Sequence, residues 1–137
     1  MTNEALNILL VSHFLPPRRR AGTENYTLAL AKALTARGNR VTLLCAEDWE
    51  SGENYWNGVT EDALDGIPVH RIHLNWSKAA DPNRVLYDSR PVEEWLDRFL
   101  RMRRPDVLHA TSLMTLGAGV VRASSRANIP CVLTLMD

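Results

Sequence analysis

Short apolar runs alternate along this chain with longer segments that have helical periodicity. Each run has the continuous hydrophobic character of a strand that is buried on both faces of a parallel sheet. The runs occupy residues 7–12, 40–46, 69–74, 106–110 and 131–135. Between them, apolar residues three and four positions apart predict helices at 23–37, 91–104 and 115–127. We therefore predict an α/β fold with a Rossmann-like, doubly wound parallel sheet of about five strands in the order 3-2-1-4-5.

Local signals mark the ends of several elements. Thr23 is placed to cap the first helix, and Gly38 is placed to end it. Pro91 suits the first turn of the second long helix. Asp65 and Gly66 are typical of a tight turn, which predicts a small hairpin that leads into the third sheet strand.

Composition narrows the class of protein. The 137 residues are enough for one domain, 1–137, and their 16 basic and 16 acidic side chains balance, which argues against a nucleic-acid partner. The N-terminus lacks a signal peptide, and no apolar run is long enough to span a membrane. Cys45 and Cys131 lie in predicted strands, where we expect buried, reduced thiols. We expect a cytoplasmic protein, soluble or peripheral to the inner face of the membrane.

Two features point to contacts with other molecules. The chain stops at Asp137, directly after an apolar strand, which predicts an incomplete domain whose exposed last strand pairs with a second copy or with a partner chain. Four arginines crowd the end of the second long helix, where they complement the helix dipole or contact an anionic membrane surface. They are Arg98, Arg101, Arg103 and Arg104.

The carboxyl ends of the central strands are the expected ligand site of an open parallel sheet. Here residues 12–24 face residues 110–115. Gly22 opens a helix in this loop, where a missing side chain lets a phosphate or a sugar approach free backbone N–H groups. The loop lacks the glycine spacing of a nicotinamide-dinucleotide site, and the chain has no Walker A loop. These absences disfavour a dehydrogenase and a P-loop enzyme.

Charged and basic side chains accompany this loop. Arg18, Arg19 and Arg20 are placed to clamp a phosphate or a carboxylate, or they simply form a solvated loop. His13 and His109 end adjacent strands, so they either face one cleft as a base or hydrogen-bond partner or have a structural role.

No metal site is predicted. His70 and His73 are three residues apart on a strand, so their side chains point to opposite faces and do not form a chelating pair. Asp137 ends the last strand at the carboxyl edge. It is therefore either an acidic candidate for the same cleft as the two histidines or a frayed terminal residue without a role.

An ordered set of short motifs resembles the family 4 glycosyltransferases. The resemblance begins in residues 8–44 with Pro16-Pro17, Ala21-Gly22-Thr23-Glu24, the helix 28–34 and residues 37–42. It continues with Asp65-Gly66-Ile67-Pro68-Val69 and Arg71, with residues 104–109, and with residues 129–134. No single motif is specific, but their order covers almost the whole chain.

The resemblance implies the N-terminal, acceptor-side domain of a two-domain GT-B enzyme. Such a retaining glycosyltransferase moves a sugar from a nucleotide-sugar donor to a sugar, a lipid or another acceptor. The donor is a co-substrate, and the resemblance implies neither a cofactor nor a metal. The half that holds the donor is missing here, so the resemblance implies an inactive chain that needs its donor domain or a partner subunit.

The resemblance also assigns residues. It implies catalytic positions at His109 and Asp137. Together with the loop analysis, it places substrate contacts at His13, Arg18, Arg19, Arg20, Gly22, Thr23, Glu24 and Thr111. The chain departs from the family pattern at Ala21, where a glycine is usual, and at Thr111 and Met136, where the family often has histidine.

Two other functions fit the same sequence. The chain could be a non-catalytic binding module that completes a site only with another polypeptide. It could also be half of a nucleotide-sugar epimerase, which shares the two-domain fold. Paired glutamates in a C-terminal half would distinguish a transferase from an epimerase.

Overall fold

A six-stranded sheet with helices on both faces organises the protein, seen in a computed structural model that describes residues 4–47 and 49–136. Its strands are β1 (Asn7–Val11), β2 (Arg40–Glu47), β3 (Trp56–Leu64), β4 (Ile67–Leu74), β5 (Val107–Ala110) and β6 (Cys131–Leu133). The order is β3-β4-β2-β1-β5-β6, and all neighbours are parallel except β3 and β4. The predicted order of the five parallel strands is therefore confirmed.

The sixth strand, β3, was missing from the prediction. It pairs antiparallel with β4 through the turn at Asp65 and Gly66, with Leu64 opposite Ile67. Both turn residues have positive φ, 50° and 83°, as a two-residue hairpin turn requires. The hairpin is thus confirmed. The strand before it was not recognised because β3 lies at the sheet edge, where none of its residues is fully buried and its middle, Thr60, Glu61 and Asp62, is exposed and polar.

Helices cover both faces of the sheet. They are α1 (Gly22–Ala36), α2 (Pro82–Val85), α3 (Arg90–Arg103) and α4 (Gly119–Arg126), with one 3-10 turn at Trp76–Lys78. Alternate residues of β1 separate the two cores: Leu10 packs with Ala31 of α1, and Leu9 packs in the cluster that contains Leu96 of α3 and Val120 of α4. This two-sided burial explains why β1 is continuously apolar, and it confirms the doubly wound α/β fold.

Two helix starts differ from the prediction. The N-cap of α1 is Ala21, which has no side-chain acceptor, and Thr23 already lies inside the helix. The predicted cap at Thr23 is therefore wrong. Likewise, α4 begins at Gly119 rather than at residue 115, because Thr115 and Gly117 have φ values of 70° and 89°, outside the helical region.

The last strand is shorter and more exposed than predicted. β6 ends at Leu133 rather than at residue 135, and the side chain of Cys131 is exposed. The expectation of a buried thiol is wrong for Cys131, because β6 has a neighbouring strand on one side only. Cys45 is buried on central strand β2, and burial raises the pKa of its thiol to about 12. None of the helices formed by the described residues is long and apolar enough to cross a membrane.

Candidate functional site

A cleft of about 390 Å³ opens where β1, β5 and β6 end. Its walls come from the loop after β1, the first turn of α1, the loop after β5 and the residues after β6. The lining residues are His13, Thr23, Thr111, Ser112, Leu113, Met114, Leu133, Thr134, Leu135 and Met136. We call this the carboxyl-edge cleft. It lies at the switch point at which residues 12–24 were expected to face residues 110–115.

His13 and Glu24 form a histidine–carboxylate pair at this cleft. His13 Nε2 lies 3.0 Å from Glu24 Oε1, although that oxygen accepts no well-aligned hydrogen bond from the described residues. Burial lowers the pKa of His13, while the nearby carboxylate of Glu24 opposes that shift and the charge of Arg19 adds to it. A neutral imidazole is therefore favoured at neutral pH, and such a ring keeps one nitrogen able to accept a proton.

Two polar atoms at this position, Ser12 Oγ and His13 Nδ1, are buried and have no hydrogen-bond or ion-pair partner among the described residues. Glu24 Oε1 is buried beside them and contacts His13 Nε2. A buried polar group without a partner costs about 1–3 kcal/mol, so such groups are rare in folded proteins. These atoms lie together at the end of β1 and the start of α1. This corner of the cleft therefore retains unused hydrogen-bonding capacity.

Threonine hydroxyls tie the cleft walls together. Thr27 Oγ1 and Thr111 Oγ1 are 2.6 Å apart, which joins α1 to the end of β5. The backbone N–H of Thr111 donates to the carbonyl of Val11 at 2.9 Å, and Thr115 Oγ1 donates to the carbonyl of His13 at 3.3 Å. Because these groups are buried and paired, the walls are positioned before any ligand arrives.

His109 stands behind the cleft rather than on its surface. Its Nε2 lies 2.6 Å from Thr134 Oγ1, and Thr134 is the residue that lines the cleft. Burial lowers the pKa of His109. The structure therefore does not bring His109 and His13 onto one surface, and His109 reaches the cleft through a threonine hydroxyl. Asp137, the other predicted catalytic residue, lies outside the described residues.

The arginines of the first loop lie away from the carboxyl-edge cleft. The guanidinium groups of Arg18 and Arg19 sit over the ring of Phe14, at 5.4 and 5.0 Å from its centroid. Arg18 Nε is also 3.7 Å from Glu47 Oε1, at the end of β2. Arg20 is exposed. None of the three lines the cleft, although they border the same edge of the sheet.

A buried arginine on β4 anchors this loop. Arg71 donates from Nη2 to the carbonyl of Pro16 at 2.7 Å, from Nη1 to Glu47 Oε2 at 3.0 Å, and from Nε to both carboxylate oxygens of Asp62 at 3.1 Å. It thereby joins the loop after β1 to β2 and β3. The sequence contained a signal for this role, since Arg71 is an arginine within a strand that is mostly buried.

The N-terminus of α1 faces open space. A Cβ built on Gly22 would meet no atom within 4 Å, and the N-cap Ala21 supplies no side-chain acceptor. The first N–H groups of a helix have no acceptors within the helix. Solvent, a ligand or a second domain can therefore approach these groups directly.

Metal ligands do not gather in the described part of the chain. No group of three or more His, Cys, Asp or Glu side chains there is arranged to hold an ion. His70 and His73 lie on opposite sheet faces, the first against Phe99 and the second 2.6 Å from Thr60 Oγ1.

Comparison with known proteins identifies the family. The sequence profile of the glycosyl transferase 4-like domain matches residues 21–137, from the N-cap of α1 through every later wall of the cleft. The chain belongs to the glycosyl transferase 4-like family. The resemblance to family 4 glycosyltransferases is thereby confirmed.

Solved structures place the fold of this glycosyl transferase 4-like domain. One similar structure is the catalytic domain of starch synthase IV from Arabidopsis thaliana bound to ADP and acarbose, with a TM-score of 0.57 and 15% identity. The alignment covers 95% of this chain and 33% of the starch synthase chain, so the chain spans about a third of that structure. At this identity the likeness concerns the fold, which is of the GT-B type. The comparison with curated proteins finds no match.

Proposed function

We propose that this chain is the acceptor-binding half of a retaining glycosyltransferase, in which the carboxyl-edge cleft holds the acceptor. The family match and the GT-B likeness support a glycosyltransferase-type domain. The retaining outcome and the use of a nucleotide-sugar donor rest on the resemblance to family 4 enzymes. The observation that carries the acceptor role is the pair of buried polar atoms without a hydrogen-bond partner, Ser12 Oγ and His13 Nδ1, beside a cleft with hydroxyl-bearing walls.

The lining of the cleft suits a sugar. Thr23 and Ser112 line the cleft with hydroxyl-bearing side chains, while the hydroxyls of Thr111 and Thr134 are paired with Thr27 and His109. Leu113 and Met114 supply apolar surface for the carbon face of a ring. Hydroxyl groups both donate and accept, so they match the alternating needs of sugar hydroxyls. The volume of about 390 Å³ falls within the usual range of ligand sites.

His13 is the best-placed proton acceptor for an acceptor hydroxyl. Burial favours its neutral form, and Glu24 lies against Nε2, which leaves Nδ1 as the nitrogen without a partner. Nδ1 is enclosed, so a sugar hydroxyl reaches it only by displacing part of the wall. In this proposal His13 orients the acceptor hydroxyl. His109 positions the hydroxyl of Thr134, which lines the cleft.

The donor would come from a second domain or from a partner subunit. The open space at Gly22 and the uncapped start of α1 leave room at the same edge for another domain or for the phosphates of a nucleotide sugar. In this arrangement the described residues hold and orient the acceptor, and the second domain or subunit completes the site.

Binding of sugars to the 137-residue chain tests this proposal. The chain is screened on an immobilised glycan array, and the strongest hit is titrated by isothermal calorimetry against Thr23→Val and the matched control Thr35→Val. Both substitutions remove one hydroxyl from α1, but Thr35 bonds the carbonyl of Ala31 away from the cleft. We expect Thr23→Val to weaken binding about 5- to 10-fold, the effect of one lost hydrogen bond, and Thr35→Val to leave it unchanged.

Two results would contradict the acceptor role. One is the absence of any glycan that binds the folded chain. The other is equal affinity of Thr23→Val and the parent chain for the best hit, since the sugar would then sit outside the carboxyl-edge cleft.

A further inference from the structure

A second concave surface lies between α3 and the β3–β4 hairpin. It encloses about 400 Å³ and shares no lining residue with the carboxyl-edge cleft. The lining residues are Val59, Glu61, His70, Trp95, Arg98, Phe99, Met102 and Arg103. We call it the α3 groove. Its volume is that of a small-molecule site.

A flat aromatic surface forms one wall of the α3 groove. The rings of Trp95 and Phe99 are stacked, with centroids 4.6 Å apart and an angle of 17° between their planes. The imidazole of His70, which is buried, meets Phe99 edge-on at 5.0 Å. Trp95 is only partly buried and lines the groove, so part of its indole surface is accessible to a planar partner.

Positive charge borders this aromatic surface. Arg98 is exposed and has no ion-pair partner among the described residues, so its guanidinium group can accept an anion without breaking a contact. Arg103 lies over the Phe99 ring at 5.6 Å, and its nearest acidic contact is Glu61 at 3.9 Å. The sequence pattern assigned these arginines to the helix dipole or to an anionic surface. The structure places both of them on the α3 groove.

We propose that the α3 groove binds a small amphiphilic anion: a planar aromatic body that carries one carboxylate or phosphate group. The aromatic body stacks on Trp95, and the anionic group binds the guanidinium groups of Arg98 and Arg103. The planar guanidinium group matches the geometry of a carboxylate or a phosphate. Because the site is concave and lined by stacked rings, a small molecule fits it better than a flat anionic membrane surface does. This inference is independent of the acceptor role of the carboxyl-edge cleft.

Glu61 is the internal competitor of this anion. Its carboxylate lies 3.9 Å from Arg103 Nη2 and 3.4 Å from His70 Nδ1, within the groove. A bound anion must share Arg103 with Glu61 and is also repelled by it. Neutralising Glu61 therefore strengthens binding, an effect that a purely structural role of the pair would not produce.

The probe for this site is 2-naphthoate, with the uncharged 2-naphthylmethanol as its matched ligand. The 137-residue chain, labelled with ¹⁵N, is titrated with each compound, and the Kd and the shifted resonances are recorded by NMR. We expect saturable binding of 2-naphthoate, with shifts at the Trp95 indole N–H and in α3, and much weaker binding of the alcohol.

Three exposed substitutions sharpen the test without threatening the fold. Arg98→Gln weakens 2-naphthoate binding about 3- to 10-fold, the effect of one charge-assisted contact, and Glu61→Gln strengthens it about 2- to 5-fold. Arg90→Gln is the matched control on the first turn of α3, where Arg90 pairs with Glu94 at 3.1 Å, and it leaves the Kd unchanged. The proposal is overturned by equal affinity for the alcohol, by shifts confined to the carboxyl-edge cleft, or by equal effects of Arg98→Gln and Arg90→Gln.

Discussion

β1 and β6 are two apolar strands of the same parallel sheet with opposite environments. In β1, Leu10 and Val11 are fully buried, whereas in β6 Val132 and Leu133 remain 46% and 44% exposed. β1 lies between β2 and β5 with helices on both faces, while β6 pairs with β5 alone. An apolar run therefore indicates a strand, while the neighbours of that strand decide how much its side chains contribute to stability.

Truncating one leucine in each strand gives the largest expected contrast. Leu10→Ala removes a fully buried side chain and leaves a cavity, so we expect it to lower the free energy of unfolding by about 3–4 kcal/mol. Leu133→Ala removes a half-exposed side chain and costs about 1 kcal/mol or less. Urea denaturation of both variants measures the difference. Equal losses would mean that β6 is covered in solution, for example by another copy of the chain.

Ion pairs repeat this contrast between the centre and the surface. Arg71 is buried and bonds Pro16, Glu47 and Asp62. Arg122 on α4 is half exposed and pairs with Asp88 and Glu93 at 2.7 Å. We expect Arg71→Gln to cost about 3 kcal/mol, because it breaks a buried cluster. Arg122→Gln should hardly change the urea midpoint, since solvent screens an exposed pair. A larger loss in Arg122→Gln than in Arg71→Gln would reverse this assignment.

The carboxyl end of β1 differs from the rest of that strand because buried polar atoms without a hydrogen-bond partner follow it. Ser12→Ala removes a buried hydroxyl without a partner, so we expect unfolding to cost about 1 kcal/mol more. Thr111→Val removes a hydroxyl that bonds Thr27, so it costs about 1 kcal/mol in the opposite direction. Thermal denaturation compares the two variants. Destabilisation by Ser12→Ala would indicate that its hydroxyl has a partner, such as a buried water.

Acid should destabilise the fold through His13, which lies at the same end of β1. We expect this effect to be the smallest of the four. Burial holds the pKa of His13 below its ordinary value, so the unfolded chain binds a proton more readily than the folded chain. The free energy of unfolding therefore falls as pH drops below about 6.5, by at most about 1.4 kcal/mol per pH unit for each such proton.

A His13→Asn variant isolates this contribution. Burial also lowers the pKa values of His70 and His109, so the parent chain and the variant both lose stability in acid. We expect the variant to lose less between about pH 7.5 and about pH 5.5 in urea titrations. An unchanged pH slope in the variant would contradict the buried, neutral state of His13.

Hydrophobic pattern and turn chemistry were sufficient for most of the architecture. The five parallel strands and their order follow from apolar runs separated by helical segments, and the hairpin follows from Asp65 and Gly66. The edge strand β3 and the start of α1 were predicted less well. β3 is polar because one side faces solvent, and Thr23 does not cap α1 although its residue type suits a cap. In both places tertiary contacts, rather than local preference, decide the structure.

The candidate site shows the same division. Its location follows from the rule that ligands bind at the carboxyl ends of strands, which placed His13, Thr23 and Thr111 at one cleft. Sequence proximity gave no sign that Thr134 separates His109 from that cleft, or that Arg71 anchors the first loop. Contacts between residues distant in sequence depend on strand register, which single residues do not reveal.

The five parallel strands, their order and the membership of a glycosyltransferase family were predictable from the sequence, because hydrophobic periodicity, turn residues and ordered motifs are local features of the chain. Which polar groups remain without partners, and which arginines face a groove, followed only from the folded structure. Burial and pairing are properties of neighbours, and the neighbours of Ser12, Glu24 and Arg98 are set by packing across the sheet.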